Sequence, residues 1–298
     1  MAVKRILHML SPLKHMSPFD VNMALDAGFD AVLPYANVTL DEVNSLVQDA
    51  IFSRPPQDGV KTGFFFAGKD AILALDMLDK AKAAMVPPFV VSLFADPAGS
   101  FTTAAAMVAV AGKVLRVEKK TTLKGKHVAV FGATGVVGFS AGVIAALEGA
   151  QVTLVGHDGP DRVRRSSAEI EKRFGVKTAY ADGGTPALKA HLLAQSEIAF
   201  CAGRAGTRIL ATAELNAAKG LMIAADVNAV PPSGVEGLDM FAAGALIPGT
   251  KVMGIGPLAI GNVKYQTEAG LFGEMIKAKA PVTYDFRDAF TLARQLAG

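Results

Sequence analysis

Short apolar runs alternate with stretches in which apolar residues return every three or four positions, from one end of the chain to the other. The run RILHML over 5–10 predicts a buried strand. FDVNMALDAGFD then predicts a helix, with Asp20 near its start and Gly28 as its stop. AVLPY predicts a short strand, and NVTLDEVNSLVQDAIF a helix with Thr39 as N-cap and Glu42 in capping-box position. A turn, PPQDG, leads to the apolar run TGFFFAG, the amphipathic helix KDAILALDMLDKAKAAM and a second buried strand, PFVVSLFAD. Ser100, Thr102 and Thr103 are candidate caps for a helix that runs to about Val117. HVAVFG, QVTLVG, SEIAFC and LMIAA read as further buried strands, and two helices close the chain. Such β-α alternation predicts parallel sheets with right-handed crossovers.

Composition narrows the class. The 298 residues are 51% hydrophobic and 19% charged, with a mean hydropathy of +0.35. That is apolar, yet no uninterrupted run approaches the roughly 18–20 residues that cross a bilayer. The pattern suits strands covered on both faces. A net charge of +3 and the absence of a long Lys/Arg tract argue against nucleic acid. The most basic stretch, RVEKKTTLKGK, reads as a solvated link. The N-terminal apolar stretch is broken by His8, Pro12 and Lys14, and no membrane or export segment is expected. One cysteine allows no internal disulfide, and the five histidines lack paired ligand spacing. The expectation is a cytoplasmic protein without a metal.

The central motif is more informative. Strand HVAVFG is followed by the turn and helix ATGVVGFSAGVIAALEGA, and then by strand QVTLVG. Gly132, Gly135 and Gly138 form GxxGxxG rather than the usual GxGxxG. In a strand–turn–helix setting, small residues let the backbone approach a pyrophosphate at a helix N-terminus. The segment Gly132, Ala133, Thr134, Gly135, Val136, Val137 and Gly138 is therefore a candidate dinucleotide loop. The competing reading is a tight turn without a ligand. A phosphate-loop NTPase is disfavoured, since no Lys-Ser/Thr pair closes the loop. After the second strand, NAD sites carry an acidic residue for the ribose hydroxyls. Here LVGHDGPDRVRR places Gly156 and His157 there, with Asp158 just beyond and then Arg162, Arg164 and Arg165. His157, Arg162 and Arg165 are candidate cofactor contacts, and the mixture favours NADP, or both cofactors, over strict NAD. A glycine turn follows SEIAFC, so Cys201, Ala202 and Gly203 are candidates beneath the nicotinamide ribose. For Cys201 the alternative is a small buried filler.

The chemistry is defined partly by what is missing. No Tyr is followed four residues later by Lys, and there is no HExxH, GxSxG or His–Asp pair. A reaction that needs little proton transfer fits this: hydride removal from a carbon flanked by two nitrogens, whose cation is delocalised over both.

The blocks PFVVSLFADPAGSFTTAAAMVAV, VAVFGATGVVG, AADVNAVPPSGVEGLD and MGIGPLAIGNVKYQ resemble the NAD(P)-dependent methylene-tetrahydromethanopterin dehydrogenases of methylotrophic bacteria, over essentially the whole chain. The resemblance implies two parallel-sheet α/β domains. The second is a Rossmann-type NAD(P)-binding domain, 106–256, inserted between the N-terminal domain, 1–105, and its C-terminal helices, 257–298. It also implies oxidation of methylene- to methenyl-tetrahydromethanopterin, a homo-oligomer, and an active site in the cleft. Ala133 departs from the GxGxxG of the NADP-specific relative, which leaves cofactor preference open. The Tyr–Lys pair of the related folate dehydrogenase/cyclohydrolases is absent, so cyclohydrolase activity is not implied. The first domain and last helices would then hold the pterin. Candidate contacts are Lys69, Asp96, Ser100, Thr102, Thr103, Asp226, Asn228, Lys264 and Gln266. Simpler roles compete: Thr102 and Thr103 as caps, Asp96 as a turn residue, Lys264 as a solvated charge. Two other functions stay open. One is a shikimate- or amino-acid-type dehydrogenase, with Lys69 and Asp96 as its catalytic pair. The other is a non-catalytic dinucleotide-binding protein.

Overall fold

The computed structural model describes residues 3–298. The chain begins with β1 (Ile6–Leu10), α1 (Pro18–Ala27), β2 (Ala31–Tyr35), α2 (Val43–Phe52), β3 (Thr62–Phe66), α3 (Ala71–Ala84), β4 (Ser92–Ala95) and α4 (Ser100–Glu118). It continues with β5 (His127–Phe131), α5 (Val136–Leu147), β6 (Gln151–Gly156), α6 (Asp161–Phe174), β7 (Ala179–Asp182), α7 (Pro186–Ala194) and β8 (Ile198–Cys201). Then follow α8 (Thr212–Ala217), β9 (Ile223–Asp226), β10 (Ala243–Leu246), β11 (Met253–Ile255), α9 (Pro257–Lys277), β12 (Thr283–Tyr284) and α10 (Phe286–Ala297). Two compact units result: Met1–Thr102 with Tyr265–Leu292, and Thr103–Lys264 with Ala293–Gly298. The chain thus passes from one unit to the other within α4, within α9 and within α10.

Helix ends follow local chemistry. Ser17 accepts from the Asp20 N–H, Pro18 supplies the first turn, and Gly28 closes α1 in the left-handed conformation at φ +112°. Asp70 caps α3 by accepting from the Leu73 N–H at 2.9 Å. The cap expected at Thr39 is different. Glu42 accepts both the Thr39 N–H and its hydroxyl, each at 2.7 Å, so the hydroxyl donates instead of capping and α2 starts only at Val43.

The first unit holds a five-stranded sheet in the order β12-β4-β3-β1-β2, and every pairing is parallel. Every residue of central β3 is buried. The pleat sends Phe65 to one face and Phe64 and Phe66 to the other. Phe65 meets Phe94 and Phe272 of α9, with ring centroids 5.3 and 5.5 Å away. On the other face His8 stacks on Phe64 at 5.1 Å.

The second unit holds seven strands in the order β10-β11-β9-β8-β5-β6-β7. Its chain starts in the middle with β5, winds outward through β6 and β7, then crosses back to β8 on the other side. This is the doubly wound arrangement, with its switch point between β5 and β8. All its pairings are parallel except β10 with β11, an antiparallel edge. The reading of two parallel-sheet α/β domains therefore holds, with that one edge strand added. The edge strands β7, β10 and β12 have weak apolar patterns that sequence periodicity does not expose. Helix α4 lies in the one helical segment, Pro97–Glu118, that is long and apolar enough to cross a bilayer among the described residues. Its apolar window is 78% buried inside the protein, as in a core helix.

Phe272 is fully buried and carries α9 onto the first sheet through Phe65, Phe94 and Phe29. Phe272→Ala is expected to cost about 3–5 kcal/mol. Equilibrium denaturation checks this, and a cost under about 1 kcal/mol would show that the aromatic cluster does not anchor the helix.

Candidate dinucleotide and substrate sites

The glycine turn after β5 divides into structural and open positions. Gly132 has φ +75°, and a Cβ built on it would lie 2.3 Å from the Ala202 carbonyl oxygen. Only glycine lets the turns after β5 and β8 approach so closely. A Cβ on Gly138 would lie 2.4 Å from the Gly132 carbonyl oxygen, so α5 packs directly on the turn. Gly135 is different. It is exposed, has φ −81°, and its built Cβ meets only Gly132 O at 3.4 Å. No contact within the protein demands glycine there. Gly135 is the N-cap of α5, which has no capping side chain. The helix thus begins with N–H groups suited to an anion. Ala133 is buried without a left-handed backbone, so the departure from GxGxxG carries no strain. Thr134, Val136 and Val137 are half-buried around the turn.

Beside this turn, a cavity of ≈ 320 Å³ opens at the ends of β5, β6 and β8. Three of the cofactor candidates, Gly132, His157 and Gly203, line it, and so does Gly156. It is also lined by Lys189 from α7 and by Arg204, Thr207 and Arg208 from the segment after β8. Sequence reading missed all four. The two charges in GRAGTR, next to the glycine turn, were a legible signal for Arg204 and Arg208. Lys189 had none, because α7 reaches the cavity only through the strand order. Lys189 donates to the Ile209 carbonyl at 2.6 Å and pairs with Glu214 at 3.3 Å. Arg208 donates to the Ser233 carbonyl at 2.7 Å and pairs with Glu236 at 2.8 Å.

The arginines of α6 lie outside the cavity lining. Arg162 is exposed and pairs with Asp158 at 3.1 Å, and that bond holds the Asp158 carboxyl below its ordinary range. Arg165 is exposed. Cys201 is fully buried in the core of the second unit, and burial, with Asp226 next, pushes its thiol well above the ordinary range. Its side chain is the small core filler of the alternative reading. Ala202 and Gly203 carry the turn that meets Gly132.

The candidates for the substrate divide likewise. Asp96 is fully buried. Its Oδ1 accepts the Phe101 and Thr102 N–H groups at 2.8 and 3.3 Å, and its Oδ2 accepts the Thr102 hydroxyl at 2.6 Å. The cap of α4 is thus Asp96, while Thr102 donates. Asp226 is fully buried, and accepts from the N–H groups of Asn228, Gly234 and Val235 at 3.0, 2.7 and 3.2 Å. Burial raises its pKa, and these bonds oppose the rise. The Asn228 Oδ1 accepts from the Gly206 and Val230 N–H groups, and its Nδ2 donates to the Pro232 carbonyl. These polar groups build loops. Ser100 and Thr103 are half-buried on α4, Lys264 is half-buried and Gln266 exposed on α9.

Lys69 instead lines a cavity of ≈ 390 Å³ in the first unit, near the ends of β1 and β3. Ser11, Lys14, His15, Asp20 and Ala98 share it. Ala98 sits at φ 55°, a left-handed conformation rare for a residue with a side chain. Asp96, the other member of the expected dehydrogenase-type pair, turns both carboxylate oxygens to Phe101 and Thr102. Among the described residues no group of three His, Cys, Asp or Glu side chains is placed to hold a metal.

The chain is 53% identical over 295 residues to the NAD(P)-dependent methylenetetrahydromethanopterin dehydrogenase of Methylorubrum extorquens, covering 99% of each. It belongs to that family. Residues 18–98 match the family model described as methylene-tetrahydromethanopterin dehydrogenase, N-terminal. The bifunctional protein MdtA of the same organism is 30% identical over 294 residues, again across 99% of each chain. Among solved structures, the shikimate 5-dehydrogenase of Listeria monocytogenes in complex with shikimate and NAD aligns over 98% of this chain and 96% of its own. That alignment has a TM-score of 0.53 at 14% identity. The quinate dehydrogenase of Corynebacterium glutamicum in complex with NAD covers 97% and 98%, with a TM-score of 0.51 at 13% identity. At such identities these two structures establish the fold.

The glycines separate two experimental outcomes. Gly132→Ala should destabilise the protein by roughly 2–5 kcal/mol, through left-handed strain and overpacking. Gly135→Val should leave the melting temperature near wild type yet abolish NAD(P) binding, as measured by titration calorimetry. Unchanged affinity in the Val variant would mean that Gly135 does not face the cofactor.

Proposed function

We propose that the protein oxidises methylene-tetrahydromethanopterin to the methenyl form with NAD⁺ or NADP⁺, in one-carbon (formaldehyde) oxidation. The observation that carries this is the 53% identity, across 99% of both chains, to a dehydrogenase of that name. A nucleotide-sized crevice at the switch point of the second sheet supports it. The glycine turn from Gly132 to Gly138 and the start of α5 would hold the pyrophosphate, and His157 the adenosine side; Gly203, expected beneath the nicotinamide ribose, lines the same cavity as His157 and is reassigned to the adenosine side with it. When bound, NAD(P)⁺ supplies the hydride acceptor. The first unit would hold the pterin, with Lys69 and the cavity around it as the candidate surface. The reading extends to a homo-oligomer in the cytoplasm.

The chain's part in the reaction is orientation. The carbon that loses hydride lies between two nitrogens, and the resulting cation is delocalised over both. Neither a general base nor a metal is needed to reach it. Asp96 and Asp226 fit this picture, since their oxygens are used to order backbone. In this mechanism both act as positioning groups, not as proton acceptors.

Two measurements test the reading. A spectrophotometric assay should show NAD(P) reduction with methylene-tetrahydromethanopterin and none with shikimate; the reverse would favour the shikimate-type alternative. Then kcat is recorded against pH, at saturating pterin, for Asp96→Asn, Asp226→Asn, Lys69→Met and Lys264→Met. Loss of a true base costs ~10²–10⁴-fold and erases one limb of the profile. Every variant should keep the limbs of the wild type. If one loses a limb, the base-free mechanism is wrong and that residue is the base.

A further inference from the structure

Resting on the dinucleotide reading, we propose that Arg204 recognises the 2′-phosphate of NADP in the cavity of the second unit, in place of the arginines of α6. The cavity reaches Gly156 and His157 at the end of β6, the position where NAD-specific sites present a carboxylate to the ribose. Among the described residues no Asp or Glu lines it. The carboxylates nearby are engaged, Asp158 by Arg162 and Asp182 by the Gly184 N–H.

Three side chains with fixed positive charge line the cavity, and they are not equivalent. Lys189 is paired with Glu214, and Arg208 with Glu236. Both also donate to backbone carbonyls. Arg204 is exposed and has no ion pair among the described residues. Its guanidinium keeps a full charge and a fork of N–H donors, the geometry that matches a phosphate. Thr207 adds a hydroxyl to the same wall.

The backbone that carries Arg204 is also held. Gly203 follows the contact of Ala202 with Gly132, the Thr207 N–H donates to the Arg204 carbonyl at 3.2 Å, and the Gly206 N–H donates to Asn228 at 3.2 Å. The turn thus presents an exposed side chain from a hydrogen-bonded backbone. The rival, Arg162, lies outside the lining and is tied to Asp158 at 3.1 Å.

Titration calorimetry with 2′,5′-ADP, 5′-AMP, NADP⁺ and NAD⁺ tests this on wild type, Arg204→Ala, Arg204→Lys and Arg162→Ala. Arg204→Ala should weaken 2′,5′-ADP and NADP⁺ by roughly 10- to 100-fold and change 5′-AMP and NAD⁺ by less than about 2-fold. Arg204→Lys should fall between the two, and Arg162→Ala should lose less 2′,5′-ADP affinity than Arg204→Ala. Equal loss for all four nucleotides would make Arg204 a general packing residue and overturn the proposal. So would a larger selective loss in Arg162→Ala, or none in Arg204→Ala. If wild type binds none of the four, the dinucleotide reading itself fails, which separates that failure from a wrong assignment of Arg204.

Discussion

Where the turns after β5 and β8 meet, backbone lies against backbone with no room for a methyl group. A Cβ on Gly132 would sit 2.3 Å from the Ala202 carbonyl oxygen and 2.7 Å from the Gly203 nitrogen. The start of α5 rests on the same turn through Gly138. These two approaches fix the spacing of β5, its helix and the loop after β8. The crevice at the switch point takes its shape from them. Gly135, in the same turn, has no such neighbour. One short motif thus holds glycines required by close backbone packing and a glycine, at the N-cap of α5, that no such packing requires.

A second device recurs at strand ends. A parallel strand must leave its ladder and enter a crossover, and the first N–H groups beyond it lose their sheet partners. In both units a buried aspartate meets that need. Asp96 follows β4 and binds the first N–H groups of α4, and Asp226 ends β9 and gathers the N–H groups of its loop. Burial opposes the charge on Asp226, while the N–H groups favour it. Asn228 carries the arrangement further, to Gly206 in the loop after β8. The polar residues of DVNAVPP therefore have a structural use that does not depend on touching substrate. A residue that builds a binding loop and one that contacts a ligand look alike in a motif.

The positions that sequence reading handled well share one property: their roles depend on near neighbours. Gly28 was expected as the stop of α1 and closes it in the fold, whereas the equally local caps Ser17 and Asp70 were not singled out. Thr39 and Glu42 were recognisable as partners, but not the direction of the hydroxyl's hydrogen bond. Cys201 could be read as a cofactor contact or a core filler. Only its place between neighbouring strands, opposite Phe131 and Asp226, decides for the filler. Arg162 is close in sequence to His157, yet α6 gives it Asp158 as a partner.

By itself the sequence determined the alternation of strands and helices, the parallel class, the glycine turn and the family. Apolar periodicity records which faces are buried, and glycine spacing records where backbone must pass closely. Both are local requirements, written in consecutive residues. The tertiary structure alone decided that Lys189, Arg204 and Arg208 share one cavity with His157, and that two of these charges are paired there. It also decided that strands as weakly patterned as β7 and β12 form at all, through ladders with β6 and β4. These outcomes depend on strand order. The chain winds outward from β5 and then crosses back to β8, and no window of sequence shorter than that crossing contains the residues it brings together.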